Sequence, residues 1–155
     1  SRSSAASDVY KRQDQGLIEG QAAELLRLRR QLDAAEVGIF ADVLVKHAYP
    51  LAPQPIAEAV EDCLGRAGAD AVIVSGVATG AAPDPQDLAA ARSSAGGAPV
   101  LIGSGCHAGN ATTLAAQADG VIVASSLKCD GLLANPVDPL RVQALRQTLQ
   151  RCQTS

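Results

Sequence analysis

The sequence predicts an α/β fold of parallel strands with helices outside, and two observations carry that reading. After a leading helix, four short apolar runs alternate with four helical patterns, the order of strand–helix units in a parallel sheet. One run, Ala71–Val72–Ile73–Val74, is continuously apolar, as a strand buried on both faces requires. An open doubly wound sheet and a closed barrel both fit this order, and each crossover is expected to be right-handed.

The leading helix is marked by Ile18, Ala22, Leu25, Leu28 and Leu32 at helical spacing, with Glu24, Arg27 and Gln31 opposite. A strand follows through Val37–Lys46. Pro50, Pro53 and Pro55 then break the chain and start a helix with the stripe Ile56, Val60, Leu64 and Ala67, ended by Gly68. Asp84–Pro85 pairs a capping carboxylate with proline at the first helical position and launches a helix from Gln86 to Ser94. Pro99–Ile102 is the next strand, with a short helix near Asn110 to Gln117 and a strand at Gly120–Val123 after it. Asp138–Pro139 repeats the capping device before a last helix, in which Val142, Leu145 and Leu149 face inward.

Composition narrows the classes of function. Apolar residues make up 47% and charged residues 19% of the 155, which suits a globular chain and not a disordered one. A net charge of −3, one Phe, two Tyr and no Trp supply neither electrostatic attraction nor stacking platforms for nucleic acid. No nucleic-acid partner is expected. No apolar run approaches the ~20 residues that span a bilayer, so no transmembrane segment is expected either. Cys63, Cys106, Cys129 and Cys152 show no C-x-x-C spacing, and neither a metal, a cofactor nor a disulfide framework is read from them. A reduced, cytoplasmic setting is the expectation. The chain contains no Met, and Ser7 to Gln13 resembles translated adapter sequence. Residues 1–13 are therefore read as a non-native or disordered leader, and 14–155 as part of one domain.

In both candidate architectures ligands bind at the C-terminal ends of the strands. Those ends read Lys46–His47, Ser75–Gly76, Gly103–Ser104–Gly105 and Ala124–Ser125–Ser126. Gly103, Ser104 and Gly105 with Ser125 on the next loop have the character of a phosphate cradle, in which backbone N–H groups from the last two loops hold the anion. The plainer alternative is a pair of tight turns, and Ala124 stands where such cradles usually carry glycine. A dinucleotide fingerprint fits less well, because Gly103-x-Gly105-x-x-x-Gly109 is one residue too long. Asp42 and Lys46 fall on one strand face by the two-residue period, which makes them the catalytic candidates, Lys46 as a base or anion holder. A structural Lys or Asp in a barrel interior is the alternative. His47 points the other way and reads as a rim hydrogen-bonder. Cys106 and His107 form a nucleophile and base only with an orienting third group, which the sequence does not show. Ser75 with Thr79 suits either a ligand clamp or a solvated turn.

Several motifs, in order, resemble one family. They are Asp14–Gln15–Gly16–Leu17–Ile18–Glu19–Gly20, Asp42–Val43–Leu44–Val45–Lys46–His47–Ala48 and Gly68–Ala69–Asp70–Ala71–Val72–Ile73–Val74, followed by Thr79–Gly80 and Gly103–Ser104–Gly105. Ala118–Asp119–Gly120–Val121–Ile122–Val123, Ser126–Leu127–Lys128 and Asn135–Pro136–Val137–Asp138–Pro139 complete the set. From Asp14 to about Leu149 the chain resembles the BtpA family. The resemblance implies the C-terminal half of a (β/α)8 TIM barrel of the ribulose-phosphate-binding type: helix 4, then strand–helix units 5 to 8, an incomplete barrel. It also implies two functions of different class. One is a factor for photosystem I biogenesis, cytoplasmic with peripheral attachment to the thylakoid and with photosystem I reaction-centre proteins as partners; Ala124–Lys128 is closer to that cyanobacterial branch. The other is a phosphosugar- or nucleoside-processing enzyme whose partner is a phosphorylated small molecule. A homo-oligomer is compatible with both.

Overall fold

The structure is a computed structural model that describes residues 11–13, 16–43, 48–76 and 81–153. In chain order the elements are β1 (Lys11–Gln13), β2 (Gly16–Ile18), α1 (Ala22–Gln31), β3 (Phe40–Asp42), β4 (Ala48–Pro50), α2 (Ile56–Glu61), β5 (Ala71–Val74), α3 (Pro85–Ser94), β6 (Val100–Gly103), α4 (Ala111–Ala115), β7 (Gly120–Ile122) and α5 (Pro139–Gln153). β3, β5, β6 and β7 form one parallel sheet in that spatial order. This is the predicted parallel α/β core. The strands lie side by side in the order in which the chain makes them, so the sheet contains no reversal of winding.

A second, antiparallel sheet was not expected. β1 pairs with both β2 and β4, and β1 lies within the residues set aside as a leader on sequence grounds.

The two faces of the parallel sheet differ. Ala41, Val43, Val72, Val74, Val100 and Ile102 point toward the helices and form the core with Ile56, Val60, Cys63, Leu88, Ala91 and Leu114. Ala71 and Ile73 are also buried but point the other way, on the face shared with Phe40, Asp42, Gly103 and Ile122 by strand register. Phe40 and Ile122, at the two edges of that face, are 48% and 45% exposed.

Local chemistry explains the helices and two departures from expectation. Asp84 Oδ1 accepts a hydrogen bond from the Gln86 N–H at 2.7 Å, and Asp138 Oδ1 one from Leu140 at 2.9 Å, the predicted caps with proline at the first helical position. α2 continues into a π-helical turn, Asp62–Arg66, that keeps both Cys63 and Ala67 buried. Gly68 stops it at φ +65°, a conformation that side chains rarely adopt. In α1 the inward stripe is Ala22, Leu25 and Leu26, and Leu28 and Leu32 are exposed. Leu26 packs over Gly68, where an added Cβ would sit 3.2 Å from its Cδ1. In α5 Leu145 and Leu149 pack inward, but Val142 is exposed.

Two aspartates set the sheet register. Asp70 Oδ2 accepts from the Ile39 N–H at 2.7 Å and pairs with Arg29 of α1 at 3.1 Å. Asp119 Oδ2 accepts from the Val100 N–H at 2.8 Å and pairs with Arg92 of α3 at 3.0 Å. Each carboxylate thus ties the start of one strand to the start of its neighbour and to the helix before it. The hydrogen bond from Val100, with help from Arg92, holds the Asp119 carboxyl below its usual range against the opposing effect of desolvation. The folded chain then binds that proton less readily than the unfolded chain. Its contribution is complete above the usual carboxylate range and is lost as pH falls through and below it. Asp119→Asn should lower the melting temperature by a few degrees at pH 7. The gap to wild type should shrink toward zero below about pH 4; a gap independent of pH would contradict this role.

Candidate functional site

The C-terminal ends of β3, β5 and β6 meet at Ser75. This residue is only 4% exposed. Ser75 Oγ lies 3.0 Å from Asp42 Oδ2 and in close contact with the Gly103 carbonyl oxygen. One hydroxyl hydrogen therefore serves two acceptors, a carboxylate from one strand end and a backbone carbonyl from another. Asp42 is held on the sheet face opposite the core helices, at the end where ligands bind in parallel α/β proteins. A carboxylate in that position can orient a ligand hydroxyl or accept a proton. Lys46, His47 and Thr79 lie outside the described residues, and so does the Asp42–Lys46 pairing predicted from strand period.

The Gly103–Ser104–Gly105 turn follows directly, with a cis peptide bond between Gly103 and Ser104. Gly105 adopts φ +87°, and a Cβ there would overlap the Ala81 carbonyl. A Cβ on Gly76 would strike the same carbonyl. Both glycines are thus required by close approach of the chain's own backbone at Ala81–Ala82, independently of any ligand. Ser125, the other predicted phosphate-loop residue, stands at the start of a 3-10 turn, Ser125–Leu127. Its neighbour Ser126 joins the two loops, donating through Oγ to the Cys106 carbonyl at 2.9 Å.

Asn110 is the residue sequence reasoning missed. Its Oδ1 accepts from the His107 N–H at 2.8 Å, and its Nδ2 donates to the Gly105 carbonyl at 2.9 Å. One side chain thereby fixes the loop from 105 to 110. The signal was present as a His-x-x-Asn spacing at a helix start, where short amide side chains bond to nearby backbone. Cys106 and His107 do not form a nucleophile and base. Burial pushes the Cys106 thiol up, toward the unreactive protonated form, while His107 Nδ1 accepts from the Gly109 N–H at 3.1 Å. Among the described residues no group of three His, Cys, Asp or Glu is placed to hold a metal ion. No helix among them is long and apolar enough to cross a membrane.

Comparison with known proteins matches residues 6–151 to the model of the BtpA family. The chain is 51% identical to the photosystem I biogenesis protein BtpA of Synechocystis over 136 residues, which cover 88% of this chain and 47% of that protein. It is 43% identical to an uncharacterised protein of the archaeon Thermococcus kodakarensis, covering 85% of this chain and 49% of that one. The chain thus spans about half the length of the curated relatives it matches. Among solved structures it is similar to N-(5'-phosphoribosyl)anthranilate isomerase from Pyrococcus furiosus, a TIM-barrel-type enzyme, with a TM-score of 0.54 at 17% identity. That likeness covers 85% of this chain and 58% of the isomerase, and it speaks for the fold alone.

The Ser75 bridge and the Gly105 turn make separable predictions. Ser75→Ala should cost about 1 kcal/mol by taking the shared donor away from a half-buried carbonyl and carboxylate. Gly105→Ala should destabilise through backbone overlap and its positive φ, with or without ligand. Thermal melts of both variants check this, and a neutral Ser75→Ala would show that the bridge holds nothing.

Proposed function

We propose a role for this chain from one premise that is already shown: it belongs to the BtpA family. The role is in photosystem I biogenesis, exercised from the thylakoid surface through contact with reaction-centre proteins. The observation that carries it is 51% identity to the Synechocystis photosystem I biogenesis protein.

In the same reading the parallel sheet is the C-terminal half of a (β/α)8 barrel, strands five to eight. Three features support this. The strands run in chain order with no switch in winding. The core helices pack against one face, while the other leaves Phe40 and Ile122 exposed at its edges. The curated relatives are about twice as long as the chain, enough for four more strand–helix units.

A second reading is favoured by the Asp42–Ser75–Gly103 cluster, which gathers polar groups at the strand ends. Here the barrel processes a phosphorylated sugar or nucleoside, with Lys46 as base, Asp42 as its partner, and Ser104, Gly105 and Ser125 at the phosphate. Barrels host many chemistries, so fold does not choose between the two.

A complementation experiment does. The gene is deleted in a photosynthetic host and restored as wild type or with Lys46→Ala in the full-length protein. The assembly role expects photosystem I to fall on deletion and to return with the variant, because contact surfaces survive a change inside the barrel. Normal photosystem I after deletion would overturn it. Loss without rescue by a folded variant would shift the account to barrel chemistry.

A further inference from the structure

Between the His107–Gly109 loop, the Ser126–Leu127 turn and the first half of α5 lies a cleft of about 450 Å³. That volume is in the range of small-molecule sites. Gly103, Ser104, Gly105 and Ser125 are not among its walls, so it is separate from the strand-end site. We propose that this cleft binds a small organic anion, a carboxylate or phosphate monoester with a compact apolar body.

The charged end is specified by two held donors. His107 is folded back by the Gly109 N–H on its Nδ1, which places the proton of the neutral ring on Nε2. Glycine at 109 permits this seat, because a Cβ there would lie 3.2 Å from His107 Cε1 and Nδ1. Asn110 holds the His107 backbone. No described residue accepts from Nε2. Arg141 is steered by two contacts, Nε to Asp138 Oδ2 at 3.5 Å and Nη1 to the Ser126 carbonyl at 3.4 Å. Its Nη2 has no partner among the described residues.

The rest of the wall specifies the body. Leu127, Ala144 and Leu145 make an apolar floor, and no acidic side chain lines the cleft among the described residues. Asp138 beside it is already engaged by Arg141 and the Leu140 N–H, so a cation would find no free carboxylate there. A neutral apolar molecule would leave both donors unpaired, which costs affinity. An anion with an apolar body satisfies both ends, and a guanidinium reaches planar oxyanions with two parallel N–H groups.

The test is a titration of the full-length protein with phenyl phosphate, benzoate and inorganic phosphate, followed by the His107 imidazole resonances. The signal is assigned by its loss in His107→Gln. The two organic anions should shift it saturably, each about tenfold tighter than inorganic phosphate. Arg141→Gln should weaken them about tenfold or more, and Ala144→Asp, which sets a carboxylate against the floor, should abolish binding. Both changes are at exposed positions of α5, and unchanged melting of either one keeps the test valid. A preference between benzoate and phenyl phosphate would name the acid. No saturable shift at millimolar probe, equal binding by Arg141→Gln, or shifts confined to the Gly103–Gly105 amides would each overturn the proposal.

Discussion

A backbone N–H at the start of a buried parallel strand needs an acceptor before its ladder begins, and water cannot supply one. In this chain the acceptors are Asp70 and Asp119, each placed just ahead of the next strand. Each also draws in an arginine from the helix that leads into the neighbouring strand, Arg29 of α1 and Arg92 of α3. As surface ion pairs, Arg29–Asp70 and Arg92–Asp119 contribute little. As register pins they decide more, because a one-residue slip would turn the apolar residues of a strand to its other face. With the register held, Val72, Val74, Val100 and Ile102 meet the helices. The residues of opposite parity carry Asp42, Ser75 and Gly103 to the strand ends. Site and core are two faces of one alignment.

The parts of the fold legible in the sequence were those decided within a few residues. Asp84–Pro85 and Asp138–Pro139 announce their helices because cap and first turn are neighbours. Ala71–Val74 announces a doubly buried strand by composition alone. The α1 stripe failed for a tertiary reason: leucines at 25, 26, 28 and 32 offer two stripes, and the space over Gly68 selects Leu26. The antiparallel sheet of β1, β2 and β4 carried no signal of apolar alternation, with Lys11, Arg12 and Gln13 forming its central strand.

The site was legible as an address more than as a mechanism. Strand-end reasoning singled out Asp42, Ser75, Gly103, Ser104 and Gly105, and the structure joins three of them through one buried hydroxyl. It could not reveal that bridge, because Ser75 reaches Asp42 across 33 positions and Gly103 across 28. Nor could it show that Gly105 answers to Ala81, since glycine suits a ligand and a crossing backbone equally. Asn110 was passed over as a helix start, although its two bonds fix the loop that carries His107.

The proposed barrel requires that further strands close the parallel sheet, and the longer relatives have the length to supply them. By the register, the amides of Phe40 and Val121 point away from β5 and β6, the strands they pair with among the described residues. They are the hydrogen bonds that a closed barrel must make and an open sheet must leave to water. Amide hydrogen exchange on the full-length protein reads them directly. Closure predicts that both are protected to nearly the same degree as the central amides of β5. Exchange at Phe40 and Val121 near the free-peptide rate, with β5 still protected, would contradict it.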